Sequence, residues 1–233
     1  MNSALSVLAQ KGLNIFASAK VQNLSPEILA DLARARIELN GNETLCVLAH
    51  GGRRLWENLH HPLNEDEHPI DKFVLEQIQW LNSTVLKDEQ LRMLFPSRYL
   101  IPLQKIGRHL NISRPSVLGI DMNREFGVWF AFRAVFLTTS PIDEIQPAEF
   151  QSACLTCVEK PCQIVCPPKA VNTSSADFHL AKCAGYRLSR DSQCLDRCQA
   201  RMACPYQQDH RYTIEQSQYH NLRVAHLNRL AQI

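Results

Sequence analysis

Cysteine is where this sequence concentrates groups that could do chemistry. Of nine cysteines in 233 residues, eight fall between Cys154 and Cys204. The first run, CLTCVEKPCQIVCPP, reads Cys154-x2-Cys157-x4-Cys162-x3-Cys166-Pro. The second places Cys183 alone, then Cys194-x3-Cys198-x5-Cys204-Pro. A disulfide scaffold would fill a short secreted chain, whereas here a long segment precedes the cysteines without needing cross-links. Nucleophilic catalysis would single out one cysteine beside a partnered histidine, and none stands out. Metal ligation is the better reading.

Two kinds of metal site compete. Zinc is held by four-cysteine sites built from C-x2-C pairs. Iron–sulfur clusters in the two-cluster arrangement follow C-x2-C-x2-C-x3-C-P, and the fourth cysteine ligates the other cluster. The first run here keeps the outer spacings and the proline and widens the middle gap by two residues. A cubane takes four thiolates from different directions. A tight loop supplies three, so the fourth must come from a remote segment, here the cysteine preceding proline in the opposite group. Cys154, Cys157, Cys162 and Cys204 are therefore expected on one [4Fe–4S] cluster, and Cys166, Cys183, Cys194 and Cys198 on a second. Eight thiols fill two sites with none left over. Cys46 lies in the apolar run TLCVLA and reads as a buried structural thiol.

The elements that must position these residues fall into two regions. GLNIFASAKV reads as a strand. SPEILADLARARIEL reads as a helix with Ser25 as N-cap, Pro26 at its first position and Ile28, Leu29, Leu32 and Leu39 along one stripe. ETLCVLAHGG reads as a buried strand closing on two glycines. HPIDKFVLEQIQWLNSTV places Ile70, Phe73, Val74, Ile78, Leu81 and Val85 on one helical face. LRMLFP, SVLGID and GVWFAFRAVFLT read as further strands. TTSPIDEIQPAEF, with two prolines and three acids, reads as a linker, and TIEQSQYHNLRVAHLNRLAQI as a C-terminal helix opened by a Thr213/Gln216 capping box. The expectation is an α+β domain over 1–145 and a cysteine-built domain over 146–233.

Apolar residues at 45%, charged residues at 21% and a net charge of +2 describe an ordinary globular chain. That charge carries no strong nucleic-acid or membrane signal. MNSALSVLAQKGL lacks the pattern of a signal peptide, and no stretch approaches eighteen consecutive apolar residues, so a cytoplasmic protein is expected. No G-x-G-x-x-G or Walker-type loop appears.

The segment LGIDMNREFGVWFAFRAVFLTTSPI followed by the cysteine groups resembles the epoxyqueuosine reductase family. Gly119, Asn123, Glu125, Phe126, Gly127 and Trp129 match its glycine and N-P-E-F-G-x-W type stretch, and Cys183-Ala-Gly-Tyr186 matches the start of its second cysteine group. Corrinoid reductive dehalogenases are related, as is, for the first domain, the cobalamin-processing protein of the methylmalonic aciduria C class. The resemblance implies a nitroreductase-like α/β sandwich that binds a corrinoid (cobalamin), followed by a two-cluster ferredoxin-like module and a C-terminal helix. It implies that Gly119, Asn123, Phe126, Gly127 and Trp129 lie near the corrin ring, and that electrons pass from a ferredoxin- or flavodoxin-type donor protein through the clusters to cobalt or to a small-molecule substrate. The family's proton-donating acid has no counterpart in FPSRYLIPLQKIG, Asp121 stands elsewhere, and the family's tRNA-contacting repeat domain has no counterpart. The reading is an oxidoreductase with its own substrate. A non-catalytic electron carrier or adaptor, with the first domain as a docking scaffold, is the alternative.

His50-Gly51-Gly52 ends a strand, where it either lines a cofactor crevice or makes a turn. His60 and His61, in an acid-rich loop, read as solvated. Trp129, Phe130 and Phe132 read as core of one long strand.

Overall fold

A computed structural model describes residues 1–59, 68–174 and 176–222. His60 and His61 lie outside the described residues. The chain forms two compact units, one of 1–113 and 130–149, the other of 114–129 and 150–233.

The first unit opens with α1 (Asn2–Gln10), β1 (Ile15–Lys20), α2 (Pro26–Arg34), β2 (Thr44–Gly51), α3 (Arg54–Glu57) and α4 (Pro69–Leu81). A π-helical turn at Asn82–Leu86, β3 (Arg92–Phe95) and α5 (Leu103–His109) follow. The short β4 (Arg114–Pro115) and β5 (Asp121–Met122) belong to the second unit, and β6 (Phe130–Thr138) returns to the first. Its sheet runs β1-β2-β6-β3 with every neighbour antiparallel. β2 is central and buried along its whole length, which is why TLCVLAHG carries no alternation of polar residues. Its pairing with β6 shifts register at Leu48/Ala49. α4 buries Ile70, Val74, Ile78 and Leu81, four of the six residues expected on its stripe.

Ser25 caps α2 as read from sequence, its Oγ accepting from the Ile28 amide at 3.4 Å. The helix stops at Arg34, short of Leu39, because Arg36 turns left-handed at φ +59°. TTSPIDEIQPAEF is not a free linker: Ile145 bridges to Ser18, and the Glu144 carboxylate accepts from the Lys20 amide at 2.7 Å and from the Asn23 amide group. His50 is buried at the end of β2 and its Nδ1 accepts from Arg133 Nε at 2.8 Å, while the Asn14 side chain bonds both Gly51 backbone groups and Gly52 turns left-handed at φ +73°.

SVLGID is not a strand either. Its chain folds back on itself, with the Ser116 amide and hydroxyl both bonding Ile120 O, and only Asp121–Met122 pairs, with β4. β6 likewise starts at Phe130, because Asn123 and Gly127 close a tight bridge just before it. Residues 114–129 therefore stand in the second unit, whereas a cut at 145 puts them in the first. Within the first unit, Phe130 and Phe132 meet edge to face at 5.4 Å.

The second unit continues with α6 (Pro161–Ile164), α7 (Leu180–Leu188), α8 (Gln199–Met202), a 3-10 turn at Gln208–His210 and α9 (Ile214–Leu222). α6 and α8 pack together. The Gln216 amide donates to Thr213 Oγ1 at 3.1 Å, so the first half of the expected capping box is present. Among the described residues no helix is long and apolar enough to cross a membrane.

Candidate functional site

The core of the second unit is built on its cysteines. Cys162, Cys166 and Cys204 are buried with Met122, Val128, Trp129, Ala170 and Tyr212, and Cys154, Cys183 and Cys198 pack against them. Two separate cavities open in this unit. The first, about 280 Å³, is lined by Cys154, Cys157, Cys162 and Cys204, with Lys160 and Tyr206 at its wall. The second, about 230 Å³, is lined by Cys166, Cys183, Cys194 and Cys198, with Arg187 and Arg201. Each cavity thus draws thiols from both sequence runs, in the four-and-four division expected from spacing.

Local backbone explains how the loops deliver them. Ser152 Oγ donates to Pro115 O at 2.7 Å and accepts from the Cys154 amide at 3.3 Å, which anchors the first loop to β4. Lys160, left-handed at φ +42°, turns the chain so that Pro161 can open α6 and bring Cys162 inward. Cys198 caps α8, its Sγ accepting from the Arg201 amide at 3.4 Å, and Cys166 Sγ accepts from the Ala170 amide at the same distance. After both Cys-Pro steps the chain goes left-handed, at Lys169 (φ +49°) and Gln207 (φ +56°). The two cysteine groups are thus local repeats in backbone conformation as well as in sequence.

Burial disfavours ionisation of the thiols at both places, so holding them as thiolates takes a compensating cationic centre. Burial, reinforced by negative charge on Cys204, Cys154 and Cys157, pushes the Cys162 thiol up to about 11. Burial and the charge of Cys198 do the same for Cys183, up to about 11, with Arg187 opposing. Burial also raises the thiols of Cys194, Cys198 and Cys204. Four thiolates around one buried cavity repel each other unless a cationic centre compensates them. Among the described residues, no three His, Cys, Asp or Glu side chains gather closely enough to hold a single metal ion. Cys46 is buried in β2, far along the sequence from both groups, and burial raises its thiol further still.

The residues that the resemblance puts near a corrin ring are committed to packing inside this unit. Asn123 Oδ1 accepts from the Glu125 and Phe126 amides at 3.0 and 3.2 Å and holds the turn. Gly127, at φ +56°, has no room for a side chain, since a Cβ would stand 2.9 Å from Tyr206 O. Gly119, at φ +72°, is covered by the Phe178 ring in the same way and lies at the second cavity. Phe126 meets His210 edge to face at 4.7 Å. Trp129 is 1% exposed, with the Arg201 guanidinium 4.9 Å from its ring and Tyr212 edge-on at 5.5 Å. Arg201 also donates through Nε and Nη2 to Val128 O, so one arginine ties the wall of the second cavity to this aromatic group. Sequence reasoning missed Arg201, and its cation–π partners are visible only once the chain is folded.

No protein-family profile matches the chain, and no curated protein matches it in sequence. Among solved structures, the chain is similar to the B12-trafficking protein CblC of C. elegans, a homologue of human MMACHC, with a TM-score of 0.57 and 12% identity, over 99% of this chain and 95% of that one. At that identity the likeness speaks for the fold: the chain has a mixed α/β fold of the CblC, nitroreductase-like type.

Proposed function

We propose that this is a redox protein whose second unit holds two [4Fe–4S] clusters, one in each cysteine-lined cavity, and whose first unit binds or processes a corrinoid. One observation carries the cluster reading: eight cysteines from two sequence runs sort into two sets of four, and each set surrounds its own cavity. A cubane takes one thiolate per iron, so its ligands stand around a volume, whereas a lone zinc ion needs them to meet at a point. The amides donating to Cys166 and Cys198 sulfur, and Lys160, Arg187 and Arg201 in the walls, suit an anionic cluster. When bound, such clusters supply one-electron transfer, and this chain's residues hold them, shield them and set the charge around them. An electron-donor protein is then the expected partner.

The corrinoid reading rests on the fold shared with a B12-trafficking protein. The five residues first expected against the ring are packed within the second unit, and no step is assigned to them. The carrier reading, with a first unit that only docks, draws on the acid in a cavity of that unit: Asp31 is tied to Lys105 and Arg34, which hold it as a carboxylate rather than a proton donor.

Iron, acid-labile sulfide and zinc are to be measured per chain on anaerobically purified protein. About eight irons with matching sulfide, the content of two cubanes, is the expected result. Stoichiometric zinc without sulfide would overturn the cluster reading and the redox function with it.

A further inference from the structure

We propose that the first unit binds a phosphate-bearing small molecule in the cavity between the C-terminal end of α2 and residues 95–103. This inference rests neither on the cysteines nor on a corrinoid. The cavity measures about 940 Å³, the size of a small-molecule site, and Arg34, Arg36 and Arg98 line it together with Tyr99 and Leu100. Its one acid is Asp31, whose carboxylate already takes Lys105 Nζ at 2.9 Å and the Arg34 guanidinium. Among the described residues Arg36 and Arg98 form no ion pair, and Arg98 lies over the Tyr99 ring at 5.7 Å. The wall therefore carries a surplus of guanidinium groups, the planar fork that matches phosphate oxygens. Tyr99 and the 93% exposed Leu100 add an apolar surface for the remainder of the ligand.

The end of α2 explains how Arg36 reaches the wall. The Ile37 amide bonds Leu32 O at 3.1 Å and the Arg36 amide bonds Ala33 O at 2.9 Å, with Arg36 at φ +59°. That is a Schellman end to α2, and Arg36 stands where glycine is ordinarily found. This left-handed turn brings the Arg36 side chain to the cavity wall, where it stands with Arg34 and Arg98.

Calorimetric titration of the full chain with ADP, with adenosine as the uncharged control, tests this. ADP is expected to saturate one site, and adenosine to bind at least about tenfold more weakly, the scale of lost charge-assisted hydrogen bonds. Arg98→Ala and Arg36→Gly are each expected to weaken ADP by about tenfold or more, while Arg36→Gly keeps or raises the thermal midpoint because its backbone strain is relieved. Iron and sulfide per chain, measured on the same samples, are expected to stay at the parent value, which separates failure here from failure of the cluster reading. Absence of saturation by ADP, equal binding of adenosine, or variants that bind ADP like the parent would overturn the proposal.

Discussion

Cys157 and Cys46 show what decides a thiol's role. Cys157 stands at a cavity with three other sulfurs, and Cys46 lies alone in a buried strand, paired across the sheet with Ser18 and Phe136. On the proposed two-cluster reading, Cys157→Ser is expected to lose about half of the protein's iron, because a hydroxyl is a poor ligand for a cluster iron. Cys46→Ser is expected to keep all of the iron and to cost about 1–3 kcal/mol through a buried hydroxyl. Metal analysis and denaturant unfolding read both effects, and equal iron loss in the two variants would refute the ligand assignment. Spacing made the four-and-four grouping around the cavities legible, since the offset of Cys166 and Cys204 before proline already pairs each with the opposite run. Arg201 was not legible, because an arginine beside two cysteines looks like any surface cation until Trp129 and Tyr212 fold around it.

At the scale of elements, Asp88 locks the first unit. It sits between the π-helical turn and β3, and its carboxylate accepts from Thr138 Oγ1 at 2.6 Å, the Thr139 amide at 2.7 Å, Thr139 Oγ1 at 3.0 Å and the Gln90 amide at 2.9 Å. Burial alone would push this carboxyl up, but the hydrogen bonds outweigh it and hold it at about 2. A carboxyl depressed on folding adds stability that is complete above its unfolded value near 4 and is lost as pH falls toward 2. Asp88→Asn is expected to lower stability at neutral pH by about 2 kcal/mol and to flatten the decline between pH 4 and pH 2, measured by denaturant unfolding across that range. An unchanged pH profile would show that the lock does not act as described. Helices and strands with strong periodicity, α2, β2 and α4, were readable from pattern. SVLGID was not, because its apolar residues turn back through left-handed Gly119 instead of running on as a strand. α1 and α5 also escaped notice, as neither has a side-chain N-cap to announce it.

For the whole molecule, the fold is shared with a B12-trafficking protein over 99% of this chain, the cysteine unit included. A corrinoid-binding first unit predicts that adding protein to cob(II)alamin or another corrinoid shifts its visible spectrum in a saturable way. No shift with any corrinoid would leave the electron-carrier reading standing and remove the corrinoid from it. The result bears on the first unit only, and the iron and sulfide content bears on the second.

The sequence by itself determined the four-and-four sorting of the cysteines, the capped helix α2 and the buried strand β2. Those features depend on near neighbours: loop reach, caps and the solvent environment of a short segment. The tertiary structure alone decided that residues 114–129 join the cysteine unit, that the NREFGVW stretch is packed inside it, and that Arg34, Arg36 and Arg98 share one cavity wall. Each of these depends on residues far apart in the chain meeting in space, and no local pattern encodes which of several compatible partners a turn or an arginine will meet.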